Sequence, residues 1–196
     1  MIRKFSIFAL LALILLPAGV IAAGVQGMGS TYGSPEERAV TLSDNSVLTA
    51  PLTDDEKYWL TYLREEEKVA RDVYLSLNDT WNLRIFKNIA ASEQQHMDAI
   101  KQLLATYNIP DPAAGKGTGE FTNPDLQQLY DDLIQQGSIS KAEALKVGVI
   151  IEETDIDDLN EAIATTRHND LKTVYSKLLQ GSLNHLDAFE SSLAKY

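Results

Sequence analysis

Glu93-Gln94-Gln95-His96 decides how the rest of this chain is read. Residues three apart on a helix share a face, so this Glu-x-x-His places a carboxylate and an imidazole side by side. The same face otherwise carries Phe86, Ile89, Ala90, Met97, Ile100, Leu103, Leu104 and Tyr107. A polar pair on an apolar stripe requires a partner inside the core, and a metal ion is one such partner.

Working outward, the same periodicity recurs in four long segments. Thr53-Asp54-Asp55-Glu56 is a capping box that opens a helix expected to reach Leu77, with Asn78-Asp79-Thr80 as its break. The Glu93 segment covers about 83–107. Asn123-Pro124 starts a shorter helix ending near Gly137. Ser140-Lys141-Ala142-Glu143 reads as a second capping box, opening a helix to Thr165. Asn169 or Asp170 is expected to cap the last helix, which reaches Leu193. No stretch alternates with period two, so the fold class is all-α with no sheet. Four long helices with a slow second connection fit an up-down bundle with one crossover, the short helix lying within the crossover.

Each long helix places polar residues on its inward stripe. Glu67 follows Leu63 by four and precedes Ala70 by three, with Glu66 nearer the edge. Glu93 and His96 occupy the second stripe, Glu152 the third, Ser182 and His185 the fourth. Glu67, Glu93, His96, Glu152 and His185 form a ligand set suited to iron or manganese, one or two ions. Taken singly, each has a plainer reading. Glu67 can pair with Arg71 at i+4, Glu93 and His96 with each other, and His185 can be a satisfied core histidine. Glu152 stands in a run with Glu153, Asp155, Asp157 and Asp158 that reads as a solvated face, and His168 sits in an exposed turn.

Composition narrows the function classes. Seventeen basic and 28 acidic residues give a net charge of −11, which argues against nucleic acid as a partner. The absence of cysteine removes disulfides, thiolate metal sites and cysteine nucleophiles. Asp111 to Gly119 lacks the Gly-Lys-Ser/Thr order of a phosphate loop. Arg3 and Lys4, an apolar run from Phe5 to Leu16, and Ala22-Ala23 read as a signal peptide over 1–23. Uncleaved, the same segment would anchor the chain to a membrane. Residues 24–52 read as a flexible tether and 53–196 as the helical domain. A homo-oligomer is compatible with all of this.

These strings resemble the ferritin-like superfamily, and within it an uncharacterised branch, the domain of unknown function 2202. The resemblance lies in Arg64-Glu65-Glu66-Glu67-Lys68, in Tyr74 seven after Glu67, and in Ser92-Glu93-Gln94-Gln95-His96-Met97. Gly148-Val149-Ile150-Ile151-Glu152-Glu153 and Gly181-Ser182-Leu183-Asn184-His185 extend it. It implies a ferritin-like four-helix bundle binding iron or manganese, with oxidase or peroxidase-type chemistry and Glu93 as the bridge between two ions. One departure stands out: the superfamily pattern has a second Glu-x-x-His on its last helix, where this chain has Ser182-x-x-His185. Glu153, Asp187 and Glu190 are the nearby carboxylates for the gap, none in ideal phase. The departure supports the alternative of a non-enzymatic extracytoplasmic helical domain with a degenerate metal site.

Overall fold

The computed structural model describes residues 51–196. The expected signal peptide over 1–23 and the expected tether up to residue 50 lie outside the described residues. The last tether residue, Leu52, is 5% exposed and belongs to the core, so the ordered domain begins before its first helix. Five helices follow: α1 (Asp54–Trp81), α2 (Arg84–Thr106), α3 (Pro124–Gly137), α4 (Lys141–Thr165) and α5 (Asn169–Leu193). There is no strand among the described residues. None of their helices is long and apolar enough to cross a membrane.

α1 packs most extensively on α2, and α4 on α5. α1 also touches α3 and α4, α3 touches α4, and α2 touches α5. Leu60, Leu63, Leu77, Ile100, Leu104, Leu145, Leu159, Leu171 and Leu178 fill the space between them, each worth about 1.5–3 kcal/mol on full burial. Tyr74, Phe86 and Phe189 pack together with ring centroids 5.1 to 6.0 Å apart, Phe189 tilted against the other two. Gly148 makes this possible: a Cβ there would lie 2.5 Å from the Phe189 ring.

Local chemistry sets the helix ends, with three corrections to the expectations above. The α1 box forms in full, Glu56 N donating to Thr53 Oγ1 at 3.2 Å and Thr53 N to Glu56 Oε2 at 2.8 Å. Asn78-Asp79-Thr80 does not break α1, which continues to Trp81. The indole Nε1 donates to Gly137 O at 2.8 Å, a tertiary pin that overrides the weak local preference. Asn82, left-handed at φ 50°, ends the helix. Ser140 caps α4, but Glu143 turns to Lys146 and Gln136 instead of closing the box. α5 is preceded by His168 rather than capped by Asn169 or Asp170, and the Asp170 carboxylate accepts from Tyr107 at 2.7 Å.

His168 is buried at 3% exposure, not in an exposed turn. Glu56 Oε1 gathers Thr166 Oγ1, Arg167 N and His168 Nδ1, each at 2.8 Å, folding the α4–α5 turn onto the start of α1. Burial alone would raise the Glu56 pKa. The bonds to His168, Thr53, Arg167 and Thr166 overcome it and hold the carboxyl far below its usual range.

The charged string at the centre of α1 is buried because the 107–123 connection lies over it. Arg64 grips Asp111 through two 3.0 Å bonds. Glu65 accepts from Thr122 N and Asn123 N. Lys68 donates to Asp72 and Gly117 O and sits 4.5 Å from the Phe121 ring centroid. These contacts are made by the neighbours of Glu67, whose own carboxylate turns to His96.

Candidate metal centre

All five residues singled out by helical phase meet in one place. Glu67 comes from α1, Glu93 and His96 from α2, Glu152 from α4 and His185 from α5. Glu93 is the hub: its Oε2 lies 2.8 Å from His96 Nδ1, and its Oε1 lies 2.8 Å from His185 Nδ1. Glu67 Oε2 accepts from His96 at 3.1 Å, and Glu152 Oε2 stands 3.4 Å from His185 Nδ1. The imidazoles lie nearly parallel with centroids 5.6 Å apart. Two triads result, Glu67–Glu93–His96 and Glu93–Glu152–His185, each with ligand atoms within 4.8 Å of one another.

The supporting contacts orient each donor. Tyr74 donates its hydroxyl to Glu152 Oε1 at 2.7 Å, leaving Oε2 toward His185. His185 Nε2 sits 3.0 Å from Ser92 Oγ, a contact that turns Nδ1 toward the carboxylates of Glu93 and Glu152. Gly181 seats the other ring, since a Cβ there would lie 2.6 Å from His96 Nε2. Arg71 does not pair with Glu67: its guanidinium binds Asp72 at 2.7 and 2.8 Å and Gln94 at 2.6 Å.

Ser182, where a carboxylate was expected, is completely buried and donates its hydroxyl to Asp155. Asp155 is 5% exposed, so this part of the acidic run is not a solvated face. It lies one turn after Glu152 and turns toward the same core. Glu153, Asp187 and Glu190 are all exposed and do not reach in. Glu66 is likewise buried, not at the edge. Asp155 was legible in principle from the same i, i+3 rule that marks Glu93 and His96, here as Glu152-x-x-Asp155. Tyr74 lies on the inward stripe of α1, where a hydrogen-bond donor beside the ligands was legible; the roles of Ser92 and Gly181 arise only from contact between helices.

The electrostatics describe a centre with surplus negative charge. Burial pushes Glu152 up to about 8 and Asp155 up to about 7, opposed by His185 and Ser182 respectively. Burial, followed by the Asp155 charge, raises Glu67 well above its ordinary range. Burial opposes ionisation of Glu93 too, but the two imidazoles win and hold it at about 2. Burial would lower both histidines; the carboxylates beside them instead raise His96 to about 11 and His185 to about 9. Four buried carboxyls face two imidazoles, so the cluster must take up protons or a cation.

A divalent ion fits this donor set. Glu67 Oε1, Glu93 Oε1 and His185 Nδ1 are buried without a hydrogen-bond partner. His185 Nδ1 and Glu93 Oε1 are close enough to attract yet misaligned for a hydrogen bond, as expected of atoms aimed at a common space. Metal–ligand bonds near 2.1 Å put neighbouring ligand atoms about 3.0–3.4 Å apart, in line with the observed 2.8 to 3.4 Å. Mixed carboxylate and imidazole donors suit iron or manganese.

Residues 56–195 match the family described as an uncharacterized protein domain, DUF2202. The uncharacterized protein MJ0754 of Methanocaldococcus jannaschii is 50% identical over 152 residues, covering 78% of this chain and 82% of that one. The crystal structure of the hypothetical protein MJ0754 superposes with a TM-score of 0.74 at 51% identity, over 75% of this chain and 84% of that chain. A DUF305 fragment from Deinococcus radiodurans shares the fold alone, with a TM-score of 0.60 at 11% identity over 75% of this chain and all of that one.

Proposed function

This chain belongs to the DUF2202 domain family, and we propose that it is a metal-binding protein of ferritin-like architecture. In this reading α1, α2, α4 and α5 are the four helices of the bundle, and α3 lies in the crossover between the second and third. Iron or manganese is held by Glu67, Glu93, His96, Glu152 and His185. The observation that carries the reading is Glu93, which offers one oxygen to each imidazole from the centre of the two triads. The leader-like residues 1–23 support placing the protein outside the cytoplasm.

The chemistry such a metal supplies when bound is redox exchange with oxygen or peroxide. The chain's own contribution is to fix the donors. Tyr74 holds Glu152, Ser92 holds His185, and the packing of Gly181 on the His96 ring fixes that ring's plane. Tyr74, which reaches Glu152, is itself packed against the buried rings of Phe86 and Phe189.

Metal content decides the matter. The full chain is stripped, reloaded anaerobically with ferrous iron or with manganese, and counted beside Glu93→Ala and His96→Ala. Two triads predict about two ions per chain, with both lost in Glu93→Ala and one weakened in His96→Ala. Uptake no greater than in the variants overturns the reading. Ser182 favours the second reading, in which Glu93, His96 and His185 are a buried ion-pair knot of a purely structural domain. That reading predicts a folded wild-type protein with no metal uptake.

A further inference from the structure

Three carboxylates beside the centre take no part in the two triads. Glu66 is 6% exposed; no N–H or O–H donor reaches either oxygen, and its partner is the Asp158 carboxyl, with which it can share a proton. Asp155 gives one oxygen to Ser182 and leaves Oδ1 unpartnered at 5% exposure. Asp158 is half-buried on α4 and faces both Glu66 and the Tyr62 hydroxyl. Glu66 is in turn acted on by Asp158, Asp155 and Glu67, and the strongest charge acting on Glu67 is Asp155. The four carboxyls therefore lie close together where α1 packs on α4, Asp158 partly exposed and Glu66, Asp155 and Glu67 buried. Glu66 also borders a small cavity of about 20 Å³ lined otherwise by Val69, Leu129, Leu133, Ile150, Ile151 and Thr154.

A structural role does not account for this group. Buried carboxyls held only for stability are given donors, because an unpaired one is costly. Here Glu66, Asp155 and Glu67 each keep an oxygen that no N–H or O–H donor reaches. Oxygen donors without an imidazole bind a divalent cation weakly and exchangeably, while the two triads add nitrogen and bind more firmly. Asp157 and Glu161 add negative potential around Asp158 and draw cations to it.

We propose that Asp158, Glu66 and Asp155 form an acidic inlet through which a divalent cation passes from solvent to Glu67 and Glu93. The inlet rests on the metal-centre reading. A cation reaching Asp158 is handed to Glu66, then to Asp155, each step exchanging one carboxylate oxygen for the next. Asp155 stands outside both triads, hung on Ser182, as a carrier between them and the surface.

The test is the rate of Co²⁺ uptake by the metal-stripped full chain, followed by cobalt absorption in a stopped-flow instrument. It compares wild type, Glu66→Gln, Asp158→Asn, their combination, and Glu153→Gln, which removes an exposed charge from the same helix. The combined variant is expected to load about ten-fold more slowly or worse, with unchanged final cobalt content and with Glu153→Gln near wild type. Asp158→Asn, at a half-buried position, gives a several-fold slowing of its own should Glu66→Gln not fold. Unchanged rates overturn the inlet while leaving the metal centre intact. Lower content at unchanged rate also overturns it, making these residues static ligands. A wild-type protein that takes up no cobalt refutes the metal centre and the inlet with it.

Discussion

The metal-free protein should lose stability as pH rises, and metal should restore it. Burial holds Glu152 at about 8 in the folded chain against an ordinary 4.5. Between those values the folded state binds more protons than the unfolded state, so stability falls as pH increases. His185 and His96 act in the same direction. Raised from 6.5 to about 9 and about 11, they contribute fully below pH 6.5 and lose that contribution as pH climbs through the folded values. At about 1.4 kcal/mol per pH unit, the passage of Glu152 alone from pH 5.5 to 8 costs about 3 kcal/mol. Asp155, raised to about 7, faces the same carboxyls, and one proton relieves both, so its cost is not added in full. A loss of about 3 kcal/mol is a large share of a typical domain's 5–15 kcal/mol. It should move the urea midpoint down by about 1–2 M. Urea unfolding of the stripped full chain, followed by helical circular dichroism at about pH 5.5 and 8.5, measures this directly. A bound divalent ion replaces the protons, so manganese should raise the midpoint more at the higher pH than at the lower. Stability that is flat or rising between the two pH values without metal would refute the reasoning.

Glu56→Ala should cost about 4 kcal/mol, because it strips buried partners from Thr166, Arg167 and His168; a loss below about 1 kcal/mol in urea unfolding would refute the clamp. The Glu56 carboxyl is depressed when folded, so its contribution is present above pH 4.5 and lost as pH falls below it; Glu56→Ala should be less acid-sensitive than wild type. Gly181→Ala should force the His96 ring from its seat and weaken metal binding about ten-fold while leaving helix content unchanged, as titration and circular dichroism would show. Asp72→Asn should loosen the connection over α1, which Asp72 holds through Lys68 and Gly119 N, and speed tryptic cleavage after exposed Lys116 about ten-fold.

The residues that sequence periodicity locates are those whose role depends on one helix at a time. Glu67, Glu93, His96, Glu152 and His185 each lie on their own apolar stripe, and the stripe alone turns them inward. His168 was not legible because its burial depends on Glu56, 112 residues earlier. Arg64, Glu65, Lys68 and Asp72 look like a solvated face of α1; only the fastening of the 107–123 connection over them explains their burial. Asp155 was hidden by its acidic neighbours: Glu153 and Asp157 on the same helix do face water, while Asp155 is turned inward to meet Ser182. The serine that breaks the expected ligand pattern on α5 thus has a carboxylate from α4 beside it.

The most direct measurement is an anomalous difference map from crystals of the full chain grown metal-free and soaked in manganese. The metal-centre reading predicts peaks on either side of Glu93, one within reach of Glu67 and His96 and the other within reach of Glu152 and His185. Density that stays empty at both positions in an otherwise well-ordered crystal would contradict it and leave a structural domain with a buried ion-pair knot.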